Sequence, residues 1–147
     1  DAETVDFSPG DEPRFRIQAL IKNAKQRIDC CVFTITDDRL SDALIAAHER
    51  GIQLRVISDD DKAHDLGSDI TRLSRSGVKT RVDKTSAHMH HKFALFDEST
   101  LLTGSYNWTR SAARENAENI LTTQSKHLVK TFQNYFDVLW DRLDPHR

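Results

Sequence analysis

The sequence predicts an α/β domain, with a mixed, largely parallel sheet flanked by helices on both faces. Three observations predict it. Short runs rich in β-branched and aromatic residues alternate with segments whose apolar residues recur at helical spacing. Turns marked by glycine, proline or clustered acids separate them. The chain has 147 residues, the length of one domain that buries about two-thirds of its unfolded surface. Strands that alternate with helices pack as helices over a sheet.

The elements follow in order. Val5 to Ser8 reads as a short strand closed by Pro9-Gly10. A helix then runs from Pro13 through Phe15, Ile17, Leu20, Ile21 and Ala24, with proline in its first turn. Ile28 to Ile35 is a buried strand, and its adjacent Cys30 and Cys31 point to opposite faces as free thiols. Asp37 or Asp38 caps a helix through Leu40, Ala43, Leu44, Ala47 and His48 that Gly51 stops. Ile52 to Ile57 is a strand, followed by an acidic loop from Ser58 to Asp61. A short helix begins at Ser68 or Asp69, passes Ile70 and Leu73, and ends at Gly77. Val78 to Val82 is a strand and Lys84 to Met89 a polar loop. Strands His91 to Phe96 and Leu101 to Thr103 flank the acidic turn Asp97-Glu98-Ser99. Asn119 to Thr123 is the last strand. Ser125 opens a long amphipathic helix with Leu128, Val129, Phe132, Phe136, Leu139, Trp140 and Leu143 on its core stripe. No linker or repeat divides the chain, so residues 1 to 147 form a single domain.

Composition narrows the function classes. Hydrophobic residues at 37% and charged residues at 30% describe a globular protein rather than a disordered one. No apolar run has the length of a membrane-spanning helix. Asp1 to Gly10 is acidic and polar, unlike a signal peptide, and a chain without an initiator Met is expected to be a mature form or an excised domain. A net charge of −2 argues against a surface that is basic throughout. The charge is uneven, however. Between Lys79 and Arg114, six cations (Lys79, Arg81, Lys84, Lys92, Arg110 and Arg114) face three acids (Asp83, Asp97 and Glu98). His88, His90 and His91 fall in the same stretch.

The chemistry concentrates there. On a strand beginning near His91, His90 and Lys92 project to one side. An ammonium that holds a phosphate beside an imidazole that attacks phosphorus or delivers a proton is a plausible pairing. Alone, an H-x-K is more often a pair of solvent-facing residues. Seven residues after Asp97 comes Gly104-Ser105-Tyr106-Asn107-Trp108. Gly104 permits close backbone approach, and Ser105 and Asn107 add neutral donors for phosphate oxygens. Asn107 or Thr109 begins a short helix there. His88 and His90 have metal-pair spacing but no evident third ligand, His91 faces away from Lys92, and Trp108 packs or stacks against a base.

The ordered set His90, Lys92, Asp97, then Gly104, Ser105, Asn107, then Glu118 eleven positions later resembles the phospholipase D superfamily, whose signature is H-x-K-x4-D followed by G-S-x-N. The likeness extends over most of the chain and is strongest to the single-motif branch of bacterial Nuc-type endonucleases and mitochondrial cardiolipin hydrolase/Zucchini nucleases. It implies a phospholipase D-like fold and a two-step displacement without metal or other cofactor. His90 attacks the phosphodiester, water hydrolyses the phosphohistidine, and Lys92, Asn107 and Ser105 hold the phosphoryl oxygens. Glu118 orients His90, and Asp97 belongs to the set as support for its loop. Because the family uses two motifs per site, it also implies a homodimer whose two-fold axis passes through the site.

The expected function is therefore a nuclease for DNA or RNA that prefers single strands, with Arg81, Lys84, Arg110 and Arg114 lining the groove and Gly104 and Ser105 touching substrate. A phospholipase D-type lipid hydrolase and a non-catalytic nucleic-acid-binding module are the alternatives. No basic amphipathic face favours a bilayer, so stable membrane association is not expected. Without the membrane anchor and cysteine-rich insertion of the mitochondrial enzymes, the chain looks more like a bacterial-type soluble nuclease.

Overall fold

The computed structural model describes residues 3–63 and 65–145. In chain order the elements are β1 (Thr4–Ser8), α1 (Glu12–Asn23), β2 (Arg27–Val32), α2 (Asp38–Glu49), β3 (Gln53–Asp59), α3 (Asp60–Ala63), α4 (Ile70–Arg75), β4 (Lys79–Asp83), β5 (Lys92–Phe96), β6 (Thr100–Gly104), α5 (Arg110–Arg114), β7 (Glu118–Thr123), α6 (Lys126–Arg142) and β8 (Asp144–Pro145). The strands form one eight-stranded sheet in the order β1-β7-β6-β5-β2-β3-β4-β8.

The sheet is mixed, as expected, but not largely parallel. Parallel pairing is confined to β2–β3 and β3–β4. The pairings β1–β7, β7–β6, β6–β5, β5–β2 and β4–β8 are antiparallel. Parallel neighbours need a crossover element between them, and here α2 and α4 serve the two parallel pairs. A tight turn joins β5 to β6, and that connection leaves only the antiparallel arrangement. Its residues Asp97 and Glu98 have φ of 57° and 54°, the left-handed region used by primed hairpin turns.

Alternation along the strands divides the core in two. Ile28, Cys30, Val32, Val56, Ala94 and Leu102 pack with Ile17, Ile21, Leu40, Leu44, Ile70 and Leu73 of α1, α2 and α4. Cys31, Ile57, Phe93, Leu95 and Leu101 pack with Val129, Phe136, Leu139 and Trp140 of α6. Helices thus cover both faces, and the adjacent cysteines part to opposite sides as buried free thiols. Ser125 caps α6 through Leu128 N–H, although Leu128 itself is exposed. Asp29, buried in β2, is neutralised by Arg27 and Arg55 and bonded by Gln133; a buried charge needs such partners.

Two boundaries differ from the sequence reading. The strand expected to reach Ile35 ends at Val32, because the Trp108 loop takes over its backbone groups. Trp108 N–H donates to Thr34 O, and Thr36 and Asp37 N–H donate to Trp108 O. Where an acidic loop was expected, β3 continues to Asp59 and α3 follows.

Asp97 closes the far end of β5. Its carboxylate accepts the backbone N–H groups of Lys25, Gln26 and Arg27 at 2.9, 2.7 and 3.0 Å. Burial pushes this carboxyl up, but those hydrogen bonds and the charge of Lys25 outweigh it and hold it below the ordinary aspartate value. The stability it contributes is therefore present above the unfolded value of about 3.9 and is lost as pH falls through the lower folded value. Asp97→Ala is expected to cost about 2–3 kcal/mol in urea unfolding, since it orphans backbone donors of a charge-assisted cluster. Gly104→Ala is expected to cost about 3 kcal/mol or more. A Cβ there would sit 2.1 Å from Asn119 O on β7, a clash with backbone that side-chain motion does not relieve. A Gly104→Ala protein with unchanged urea midpoint would contradict this close approach.

Candidate active site

One end of the sheet collects the singled-out residues. Val32, the last residue of β2, pairs with Lys92, the first of β5. On the other side of β5, Phe93 pairs with Thr103, which brings Gly104 level with Lys92. Ser8 pairs with Glu118 on the outer strands. His90, Lys92, Gly104, Ser105, Asn107 and Glu118 therefore all lie at strand ends on this edge or in the loops leaving it.

His90 is exposed and Lys92 is half-buried. Lys92 Nζ donates to His90 Nδ1 at 2.8 Å and to the His90 carbonyl at 2.9 Å. An ammonium has only hydrogens to give, so the ring nitrogen facing it presents a lone pair. Desolvation, with Lys92 and His88 nearby, holds the His90 imidazole below the ordinary histidine value against an opposing pull from Asp59. Burial likewise lowers Lys92, and Glu118 partly offsets it.

Asn107 uses its Oδ1 to accept Thr34 N–H at 3.1 Å, and no described residue accepts a bond from its amide NH2. Ser105 accepts Asn119 N–H through Oγ and donates its own N–H to Asn119 O, and no described residue accepts its hydroxyl hydrogen. Thr109, rather than Asn107, caps α5 by accepting Ala112 N–H. The Ser8 hydroxyl donates to Asn116 O and accepts Glu118 N–H, which fixes where Glu118 leaves its loop.

Three expectations need correction. Within one chain Glu118 does not meet His90; its carboxylate accepts from Asn116 Nδ2 at 3.1 Å, and Lys92 occupies His90 Nδ1. Asp97, expected as a support, lies at the opposite end of β5, roughly 16 Å from Lys92 at about 3.3 Å per residue, and holds backbone rather than the site. Arg81 turns to α6, where its guanidinium lies 4.6 Å over the Trp140 ring and donates to Trp140 O. Gly104 is approached by Asn119 O, not by open ligand space. Lys84, Arg110 and Arg114 are exposed, Lys84 just beyond β4 and the arginines on α5. Trp108 is fully buried, which assigns it to packing. His91 bonds Tyr135 on α6 at 2.8 Å, away from Lys92.

The sequence reading missed three site neighbours. Phe33 lies under His90, ring to ring at 4.5 Å. Asp59, 2% exposed, accepts Met89 N–H at 2.8 Å and faces His88 Nδ1 at 3.4 Å. With Asp61 these groups bring three metal-capable donor atoms within 4.8 Å of one another, so His88 pairs with acids from the end of β3 and from α3 rather than with His90. No spacing in the sequence signals these contacts, because β3 and the 88–92 segment meet only through the sheet.

Residues 17–140 match the family described as cardiolipin synthase, PLD-like domain. Mitochondrial cardiolipin hydrolases are similar in sequence. That of Chlamydomonas reinhardtii is 49% identical over 81% of this chain and 53% of its own length. The human protein is 35% identical over 92% of this chain and 54% of its own. The chain thus spans about half the length of these relatives. Among solved structures, Nuc of Salmonella typhimurium, a phospholipase D family member, superposes with a TM-score of 0.93 at 26% identity over 99% of this chain and 98% of its own. NucT from Helicobacter pylori shares the fold, with a TM-score of 0.89 at 19% identity over 99% of each chain. Sequence identity is thus higher to these cardiolipin hydrolases than to the bacterial Nuc, against the expected bacterial likeness. With the fold, the motif residues His90, Lys92, Gly104, Ser105 and Asn107 at one sheet end and this match over residues 17–140 in agreement, the chain belongs to the phospholipase D-like family.

Proposed function

We propose that the chain is a metal-independent phosphodiesterase that cleaves nucleic acid, single strands in preference, through a phosphohistidine on His90. The observation that carries this reading is the His90–Lys92 pair, in which a neutral imidazole presents a lone pair beside an ammonium. A phosphodiester anion entering this edge draws Lys92 onto its oxygens and frees the ring nitrogen. His90 then forms a P–N bond as the P–O bond to the leaving group breaks. Lys92, the Asn107 NH2 and the Ser105 hydroxyl stabilise the charge that builds on the oxygens. Water breaks the P–N bond in the second step and regenerates the imidazole.

The leaving oxygen needs a proton, and the chain carries one H-x-K set. A second copy supplies the second His90 when the two sites meet on a two-fold axis, and that arrangement also brings a second Glu118 to the His90 it does not reach within its own chain. Lys84, Arg110 and Arg114 then carry flanking phosphates. Among the described residues no helix is long and apolar enough to cross a membrane. A lipid phosphodiester is the second reading, favoured by the name cardiolipin hydrolase that the relatives carry.

Labelled single-stranded DNA, RNA, duplex DNA and cardiolipin vesicles, incubated in EDTA, separate these readings. Cleavage of single strands that survives EDTA and falls about 10⁴-fold or more in His90→Ala is expected; loss in EDTA overturns the metal-free route, and turnover of vesicles alone overturns the nucleic-acid reading. The kcat/KM profile is expected to have an acid limb centred below pH 6.5, because protonation of a depressed His90 removes the nucleophile only at lower pH. Sedimentation at several dilutions is expected to show a dimer, and a fully active monomer would contradict the shared site.

A further inference from the structure

The His90–Lys92 pair lies on an aromatic ring that no motif names. Phe33 stands where β2 leaves the sheet. Its N–H donates to His91 O at 2.8 Å and its carbonyl accepts the Ser58 hydroxyl at 3.1 Å, so its backbone is pinned on both sides. Its ring centroid is 4.5 Å from that of His90, tilted by 45°. Lys92 Nζ lies 5.7 Å from the same centroid and Lys62 Nζ 5.6 Å. The His88 ring meets it nearly edge-on at 5.5 Å. One side chain therefore touches both members of the H-x-K pair.

His90 has need of such a wall. It ends a loop, it is exposed, and among the described residues its ring nitrogens are bonded only by Lys92. That bond must open when a phosphate claims the ammonium, and the imidazole is then free to rotate. In-line attack requires the reacting atoms about 3–3.5 Å apart and aligned, and a misplacement of about 1 Å costs roughly 10²-fold. Ring-to-ring contact and the attraction of an ammonium for an aromatic face both persist after the hydrogen bond opens.

Resting on the catalytic role proposed for His90, we infer that Phe33 is a positioning residue, whose ring holds the His90 imidazole and the Lys92 ammonium in register for attack on the phosphodiester. It acts through His90 and not on substrate, since the imidazole already occupies the ring. The same contact shields one side of the exposed imidazole and adds to the desolvation that disfavours its charged form.

The test uses Phe33→Leu and Phe33→Tyr with two substrates, a labelled single-stranded oligonucleotide and bis(p-nitrophenyl) phosphate, which has no nucleobase. Phe33→Leu is expected to lower kcat about 10- to 100-fold on both, with KM within about twofold. Its acid limb is expected to move to higher pH, because a better-solvated imidazole protonates more readily. Phe33→Tyr is expected to restore most of both properties. A rise in KM confined to the oligonucleotide would instead make the ring a platform for bases and overturn the inference. Unchanged kcat and pH profile in a folded Phe33→Leu would overturn it as well. If Phe33→Leu unfolds, Phe33→Met carries the same readings, and NMR titration of His90 in either variant reports the contact without turnover. His90→Ala, run in parallel, keeps the two claims apart: activity in that variant defeats the catalytic reading whatever Phe33 does.

Discussion

Strand β5 is the constraint on which the rest depends. It lies between β2 and β6, buried on both faces, and is fixed at both ends by different chemistry. At its C-terminal end the Asp97 carboxylate collects three backbone N–H groups ahead of β2. At its N-terminal end Lys92 reaches back to His90. A strand's side chains alternate strictly, so a slip by one residue would turn Phe93 and Leu95 out of the α6 core and withdraw Lys92 from the site. Anchoring one end thus sets the register of the other. Asp97, roughly 16 Å from Lys92, thereby helps to keep that register.

The site combines exposure with local dryness. His90 reaches solvent, yet Phe33, Lys92 and His88 surround it closely enough to disfavour its charged form. Lys92 is half-buried and its charge is answered by Glu118 rather than by a direct ion pair. An arrangement that keeps an imidazole neutral and an ammonium charged side by side suits an anionic ligand, which satisfies the ammonium without protonating the ring. Asn107 shows the same economy. Its carbonyl oxygen is spent on Thr34 N–H, which leaves the amide hydrogens, the half that a phosphate needs.

Gly104 and the Ser8 hydroxyl fix where the loops around this pair leave the sheet. Gly104 brings β6 against β7 more closely than any side chain permits. Ser8 bridges Asn116 and Glu118 from the far side. The junction of β3 and α3 is different in character: buried Asp59 and exposed Asp61 gather around His88.

By itself the sequence determined the alternation of elements, the helix cap at Ser125, the opposite facing of Cys30 and Cys31, and the H-x-K and G-S-x-N sets that identify the family. These are local properties: side-chain period, cap chemistry and spacing along one or two strands. The tertiary structure alone decided that the sheet is mostly antiparallel, that Arg81 belongs to Trp140 and Glu118 to Asn116, and that Phe33 and Asp59 border His90. Each of those contacts joins residues far apart in the chain across a sheet order that hydrophobic pattern does not encode, because the pattern says which face a residue takes and not which strand lies beside it.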